Sequence, residues 1–407
     1  VIARYRALFS IPGFSRLLLS AVLGRLPSGM FSLAILLLTR ARTGSFLDAG
    51  VAVGAFALAG GLAGPALGAL VDRIGQTRVL VPAALSQAAL LVALVAAAHA
   101  DAPVAVLVAL CGCAGAAQPP IAGCIRALWS TLAADEQQLE TAYALDATTQ
   151  EVIWTLGPLL VGSTAVLLSP AAAVLVCAAI TVLGTAYFAG SGISSSWHAQ
   201  VGERSGAGAL SSPQLRALLV TVLLAGVVIG AVEVGLPAFA VEHGARWSAG
   251  LLLALFSLGS MAGGLAYSAA SWRRPIELRY VALLLAMAAV VAPLIAAQAL
   301  IAAYPLAALA GLGVAPMLSC QFSLVGALAP AGSATEAFTW HRGATIAGMA
   351  VGSTLGGSLV DSNGAAGAFA LGCAGVALAA LLALAWRGRI EPGRARAGVR
   401  ALSVVQQ

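Results

Sequence analysis

The sequence predicts an all-α membrane protein whose twelve transmembrane helices form two pseudo-symmetric bundles of six. Three observations carry this. The 407 residues are 60% hydrophobic and only 9% charged, with a mean hydropathy of +0.98, which is too little charge to wet the surface of a soluble chain of this size. The long Ala/Leu/Val/Gly runs lack the period-two alternation of barrel strands, and aromatics are only 6%, so the spans are helices that close their backbone bonds internally. Residues of the first half also recur, in chain order, about 200 positions later.

The first apolar run, about Phe14 to Thr39, follows Arg4 and Arg6. It is too long for a signal-peptide h-region and reads as an uncleaved first helix. Runs of spanning length, roughly 20 residues each, follow near 46–71, 79–99, 103–129, 143–168 and 170–190. Residues 191–213 turn polar and rich in Gly and Ser, the texture of a linker, between an N-terminal bundle (1–190) and a C-terminal one (214–386). The second bundle holds runs near 214–241, 248–271, 278–297, 299–328, 336–360 and 364–386, and residues 387–407 form a basic tail. Arginines should collect in cytoplasmic turns. With the N-terminus inside, those turns take Arg73, Arg78, Arg126, Arg204, Arg216, Arg273, Arg274 and Arg279, whereas the opposite face has Arg40, Arg42 and Arg246. Both termini are therefore expected to be cytoplasmic, and the net charge of +6 reflects this bias and anionic lipid, not nucleic acid.

The repeat is clearest where Phe56, Leu58, Gly64 and Arg73 match Phe256, Leu258, Gly264 and Arg273. At a slightly different offset Ala142, Tyr143, Gly157 and Gly162 fall on Ala337, Phe338, Gly352 and Gly357, and Gly29 falls on Gly230. Two bundles related by an axis along the membrane normal account for this order.

Between the second and third runs lies Gly68-Ala-Leu-Val-Asp72-Arg73-Ile-Gly75, closing with Arg78 and Leu80. Gly64 and Gly68 share one helix face and admit a close neighbour, while Asp72 and Arg73 sit at the interface, where a carboxylate can meet an arginine or a helix N-terminus. This stretch resembles the signature between helices two and three of the major facilitator superfamily, and the resemblance extends over essentially the whole chain. It implies two rocking bundles held on the cytoplasmic side by a latch of Gly64, Gly68, Asp72, Arg73, Gly75 and Arg78. The chain departs from the pattern at Gln76 and Thr77, where family members usually carry basic residues. A second motif, Glu151 followed by Thr155-Leu-Gly157-Pro158-Leu-Leu-Val-Gly162, bends the fifth helix at its proline and offers small residues for packing. It resembles the end of a signature associated with facilitator exporters.

Charges inside spans must face protein or water. Arg25 lies roughly 13 Å into the first helix, and Glu233 lies on one face of the seventh with Gly226, Gly230 and Pro237. The resemblance implies that helices one, four, seven and ten line the cavity, so both are candidates, with Ser28 and Ser32. Glu233 is the candidate for proton coupling, because a carboxyl in a low-dielectric cavity can take up and release protons. Gln118-Pro119-Pro120 breaks the fourth helix, and Ala315-Pro316-Met317 with Gln321 is its counterpart in the tenth. Broken helices are where transporters place substrate. Asp146 and Glu151, and in the other half Glu336, His341 and Arg342, are placed near cytoplasmic helix ends as inter-bundle or interfacial polar contacts, with a proton relay through His341 as the alternative.

No phosphate-cradling G-x-x-x-x-G-K-[ST] occurs, and the chain contains no lysine, which excludes a Walker-type ATPase on this polypeptide. The cysteines, all within spans, have no metal-site spacing. The expectation is a monomeric secondary transporter, not an enzyme, with no cofactor or metal. Its partners are membrane lipid, protons and a small-molecule substrate, an amphipathic or apolar compound exported in exchange for protons. The lysine-free, Ala/Gly/Arg-rich usage places it in a bacterial plasma membrane. Uptake of a sugar or organic acid, and a non-transporting sensor on the same scaffold, are the alternatives.

Overall fold

Twelve helices long and apolar enough to cross a bilayer are present among the described residues of the computed structural model, which are 6, 8–195, 197, 208–245, 248–270, 272 and 274–386. They are α1 Phe14–Thr43, α2 Asp48–Ile74, α3 Gln76–His99, α4 Val104–Leu132, α5 Gln137–Leu167 and α6 Pro170–Ala189 in the first half. The second half holds α7 Pro213–Glu242, α8 Ser248–Ala269, α9 Ile276–Ile295, α10 Leu300–Leu328, α11 Ala334–Asn363 and α12 Ala365–Ala385. Arg4, Arg204, Arg246, Arg273, linker residues 196 and 198–207 and the tail from Arg387 lie outside the described residues.

Local chemistry sets the helix ends. Asp135 caps α5 by accepting from the Gln138 backbone N–H at 2.7 Å, and Ser169 caps α6 through the Ala172 N–H at 3.0 Å. Ser212 caps α7 just before Pro213, whose missing N–H costs nothing at a first helical position. Gly75 turns α2 into α3 at φ 94°, a conformation that disfavours any residue with a Cβ. The cap at Asp135 starts the fifth helix well before 143, where its apolar run begins.

Three spans are interrupted. α4 breaks at Gln118-Pro119-Pro120, as the sequence predicts, and resumes at Ile121. α10 breaks at Leu312-Gly313, so Ala315, Pro316 and Met317 belong to the first turn of the resumed helix, where a proline needs no donor. α1 has a short 3-10 turn over Leu26–Gly29 between its two segments, a break the sequence reading misses although Pro27, Ser28 and Gly29 announce it.

The repeat appears as matching helix crossings. In the first half α1 meets α5 at Gly29 and Gly157, where a Cβ on Gly157 would stand 2.6 Å from the Gly29 carbonyl carbon. In the second half α7 meets α11 at the equivalent residues. A Cβ on Gly230, Gly348 or Gly352 would collide with the carbonyl oxygen of Met349, Leu223 or Val227 respectively. Between halves α2 packs on α11 and α5 on α8. On the face that carries the α2–α3 turn, here the Asp72 face, one apolar core runs through both bundles and includes Phe14, Trp129, Tyr143, Phe322 and Phe338. A second core, with Met30, Phe56, Leu94 and Cys177, belongs to the first bundle alone. The bundles are thus fused at the Asp72 face and part beyond it.

Candidate functional site

Closure at the Asp72 face starts with Asp72 itself. It is 4% exposed, and its carboxylate accepts from the backbone N–H groups of Thr335 at 3.2 Å and Glu336 at 2.9 Å, the first turn of α11. A helix N-terminus presents unpaired donors and a partial positive charge, so a carboxylate from the other bundle fits there. Gly68 makes room, since a Cβ on it would lie 2.8 Å from the Thr339 hydroxyl and 3.0 Å from the Glu336 Cα. Gly64 is only in ordinary contact range of Thr339, at 3.9 Å. Arg73 and Arg78 are exposed at the turn. Where the family pattern has a basic residue, Gln76 is buried and bridges two elements, donating to the Cys124 carbonyl at 3.3 Å and accepting from Ser194 at 2.7 Å. Thr77 donates to the Ala189 carbonyl at 3.2 Å. An ion pair between Glu140 of α5 and Arg279 of α9 crosses the same face.

Above this seal the bundles enclose a cavity of about 390 Å³. Its cationic side is formed by Arg126 of α4 and Arg342 of α11, with the imidazole of His341 beside them. Glu151 of α5 and Glu233 of α7 supply carboxylates, and the apolar walls include Trp154, Phe256, Leu318, Phe322 and Met349. Glu151 accepts a hydrogen bond from Ser260 of α8 at 2.9 Å, across the two halves. Glu233 is exposed to the cavity, and Pro237, four residues on, cannot donate to the Glu233 carbonyl. Trp154, on the side away from Asp72, is 46% exposed.

Beneath the cavity a buried charge cluster joins three helices. Asp146 of α5, fully buried, accepts from Arg25 at 2.7 Å through Oδ1 and from Arg126 at 2.8 Å through Oδ2. Arg25 also donates to the Thr149 hydroxyl at 2.9 Å and the Ala21 carbonyl at 3.2 Å. The Arg126 guanidinium lies 3.8 Å from the centre of the Phe322 ring in the opposite bundle, a cation–π contact. His341 donates from Nε2 to Gln321 Oε1 at 2.9 Å, and Gln321 in turn donates to the Tyr280 hydroxyl at 3.2 Å.

Several expected positions move. Arg126 is not in a turn: it is 4% exposed inside α4 and paired with Asp146. The apolar run around it ends only at about 129, so its place relative to the turn is hard to read. Asp146 and Glu151 lie nine and fourteen residues into α5, well away from a helix end. Arg25, Ser28 and Gln118 line a crevice of only about 10 Å³ instead of the cavity, which has room for little more than a water molecule. Ser32 is exposed and lines neither space. Met317 is buried in the apolar core, and its neighbour Leu318 takes the lining position. Gln321 is buried too and reaches the cavity only through His341. In the fifth-helix motif Gly157 packs as its type demands and Pro158 stands inside α5. A Cβ on Gly162 would meet nothing within 4 Å, so this glycine serves no close approach, and its repeat partner Gly357 is equally open. Trp154 carries no sequence signal that separates it from a lipid-facing residue, whereas Gln150, which also lines the cavity, is a polar residue inside the fifth span that the sequence reading passes over.

Comparison with known proteins agrees with this architecture. No curated protein sequence matches the chain. The structure resembles a bacterial homologue of the iron transporter ferroportin in an outward-facing state, at a TM-score of 0.74 and 14% identity over 92% of this chain and 99% of that one. It resembles the human organic anion transporter MFSD10 at 0.70 and 16%, covering 91% and 99%. It also resembles the Escherichia coli fucose:proton symporter at 0.68 and 15%, covering 92% and 98%. At these identities the likeness is one of fold. The family model described as Major Facilitator Superfamily matches residues 17–341, and the chain belongs to the major facilitator superfamily.

Proposed function

We propose that the chain is a secondary active transporter that exports a small amphipathic compound in exchange for protons, by rocking its two bundles about the central cavity. One observation carries this reading: a cavity lined by both bundles, sealed at the Asp72 face, holds the carboxylates of Glu151 and Glu233 where bound protons and substrate would meet. Among the described residues Glu233 has no ion-pair partner within 4 Å, as a group that must load and unload a proton requires. Arg73, Arg78, Arg216 and Arg274 at the Asp72 face, against Arg40 and Arg42 on the other, support a cytoplasmic location for that face in a bacterial plasma membrane. The sealed state is then open outward, and Asp72 is the latch. Gly157-Pro158 favours export.

The test is flux in proteoliposomes with a trapped pH indicator, using a compound drawn from a toxicity screen of a deletion strain. Substrate movement should acidify or alkalinise the lumen, and Glu233→Gln should uncouple the two. Flux that ignores an imposed pH gradient and is unchanged in Glu233→Gln would sink proton coupling through this residue.

A second reading, uptake of an organic acid together with protons, is favoured by the excess of guanidinium over carboxylate beneath the cavity. The same assay separates the two by the direction of proton movement relative to substrate. A non-transporting sensor is the reading for which an appended soluble domain or a damaged latch is expected; the two Asp72 bonds to α11 speak against it, and Gln76 and Thr77 in place of basic residues speak for it.

A further inference from the structure

We infer that the floor of the central cavity is an anion subsite with Arg342 as its direct ligand, and that the transported compound is an amphiphile bearing a carboxylate headgroup. The inference rests on the reading of this cavity as the substrate site and names the chemistry it takes.

Two guanidiniums, those of Arg25 and Arg126, share one carboxylate beneath the floor, and a third, that of Arg342, lies close enough to feel both. Asp146 spends its Oδ1 on Arg25 and its Oδ2 on Arg126. Arg342 interacts electrostatically with both other arginines, and among the described residues it has no ion-pair partner within 4 Å. Arg342 is partly exposed and lines both the cavity and the crevice beneath it, and a guanidinium within a membrane span calls for a counter-charge beside it.

The acids of the cavity are placed too far along the helices to supply that charge. Gly230 of α7 packs against Met349 of α11. Arg342 lies seven residues to one side of that contact and Glu233 three to the other, roughly 15 Å apart along the bundle at 1.5 Å per residue. Glu151 is one and a half turns beyond Asp146 and holds the Ser260 hydroxyl. The cavity is therefore cationic at its floor and acidic toward its far side. His341, 2% exposed, lines the same floor, but its Nε2 proton is committed to Gln321 and its buried Nδ1 can only accept, so it offers nothing to a carboxylate. The bond to a bound carboxylate therefore falls to the Arg342 guanidinium, which can donate two parallel N–H groups to it. Above it Trp154, Phe256 and Met349 form an apolar wall for the rest of the molecule.

The experiment measures binding to the full chain in detergent, with no gradient, for three probes that share one hydrophobic body: 4-phenylbutyrate, its amide and 4-phenylbutylamine. The acid should bind at least tenfold more tightly than the amide, with the amine weakest. Arg342→Gln should erase the preference for the acid, and Arg342→Lys should keep part of it. Equal affinity for acid and amide in the wild type, a preference for the amine, or binding of none of the three overturns the inference without recourse to any variant. Acid binding without proton-linked flux would instead refute the proton coupling and leave the anion subsite standing.

Discussion

Asp72→Asn tests the latch with little change of shape. The carboxylate takes two backbone N–H groups at the start of α11, one at 2.9 Å and one at 3.2 Å. A hydrogen bond to a charged group contributes about 1.5–3 kcal/mol. An asparagine keeps one carbonyl acceptor, loses the second, and loses the attraction of a full charge to the helix dipole, which is worth about 0.3–1 kcal/mol. A net loss of about 2 kcal/mol is expected, and since about 1.4 kcal/mol is tenfold, the equilibrium should move roughly 30-fold toward the state open at the Asp72 face. Thr148 reports on that face. It is 7% exposed and wedged against Gly264 of the other bundle. With the exposed Cys113 changed to serine, alkylation of Thr148→Cys by N-ethylmaleimide should run roughly 30-fold faster in Asp72→Asn if opening is in rapid pre-equilibrium. An unchanged rate would show that these two bonds do not hold the bundles together, and the latch reading would fall.

Two further outcomes follow from packing and charge. Asp146→Asn strands two arginines that are 3% and 4% exposed. Breaking a buried pair costs about 3–5 kcal/mol, so thermal unfolding in detergent should show a large drop, and a midpoint within error of wild type would mean the cluster is compensated elsewhere. Gly157→Val should destabilise the α1–α5 crossing by about 1–3 kcal/mol through overpacking, whereas Gly162→Val, facing open space, should leave the unfolding midpoint almost unmoved; equal effects would show that the motif is read wrongly.

The membrane fold was legible because its determinants are long and repetitive. Apolar length locates each span, and the glycines matched across halves, Gly29 with Gly230 and Gly157 with Gly352, prove to mark equivalent crossings. The Asp72 turn was legible for a related reason, since a charged residue between apolar runs has few places to go. What escaped the sequence were decisions made between helices. Arg126 looks like an interfacial arginine until Asp146, twenty residues away, is seen to reach it. Gln118 and Arg25 have the polarity of a binding site but face a crevice, because the α1 turn at Leu26–Gly29 draws that helix against α5. Met317 and Leu318 differ by one position, about 100° of helix rotation, and only the packing of α10 decides which of them meets the cavity. Neither Trp154 nor Phe256 could be told from a lipid-facing aromatic, since in a bilayer both surfaces are apolar.

The glycine seam between α7 and α11 has a mechanical consequence. With backbone against backbone at Gly230, Gly348 and Gly352, the two helices have no compressible side-chain layer between them and no freedom to slide. α11 is 30 residues long, about 45 Å at 1.5 Å per residue. A tilt imposed on it at Glu336, where Asp72 grips, must therefore reappear at its other end and carry α7 with it. In the rocking cycle proposed above, the pair would act as a stiff lever, displacing Glu233, far from the grip, in the same event that frees Asp72.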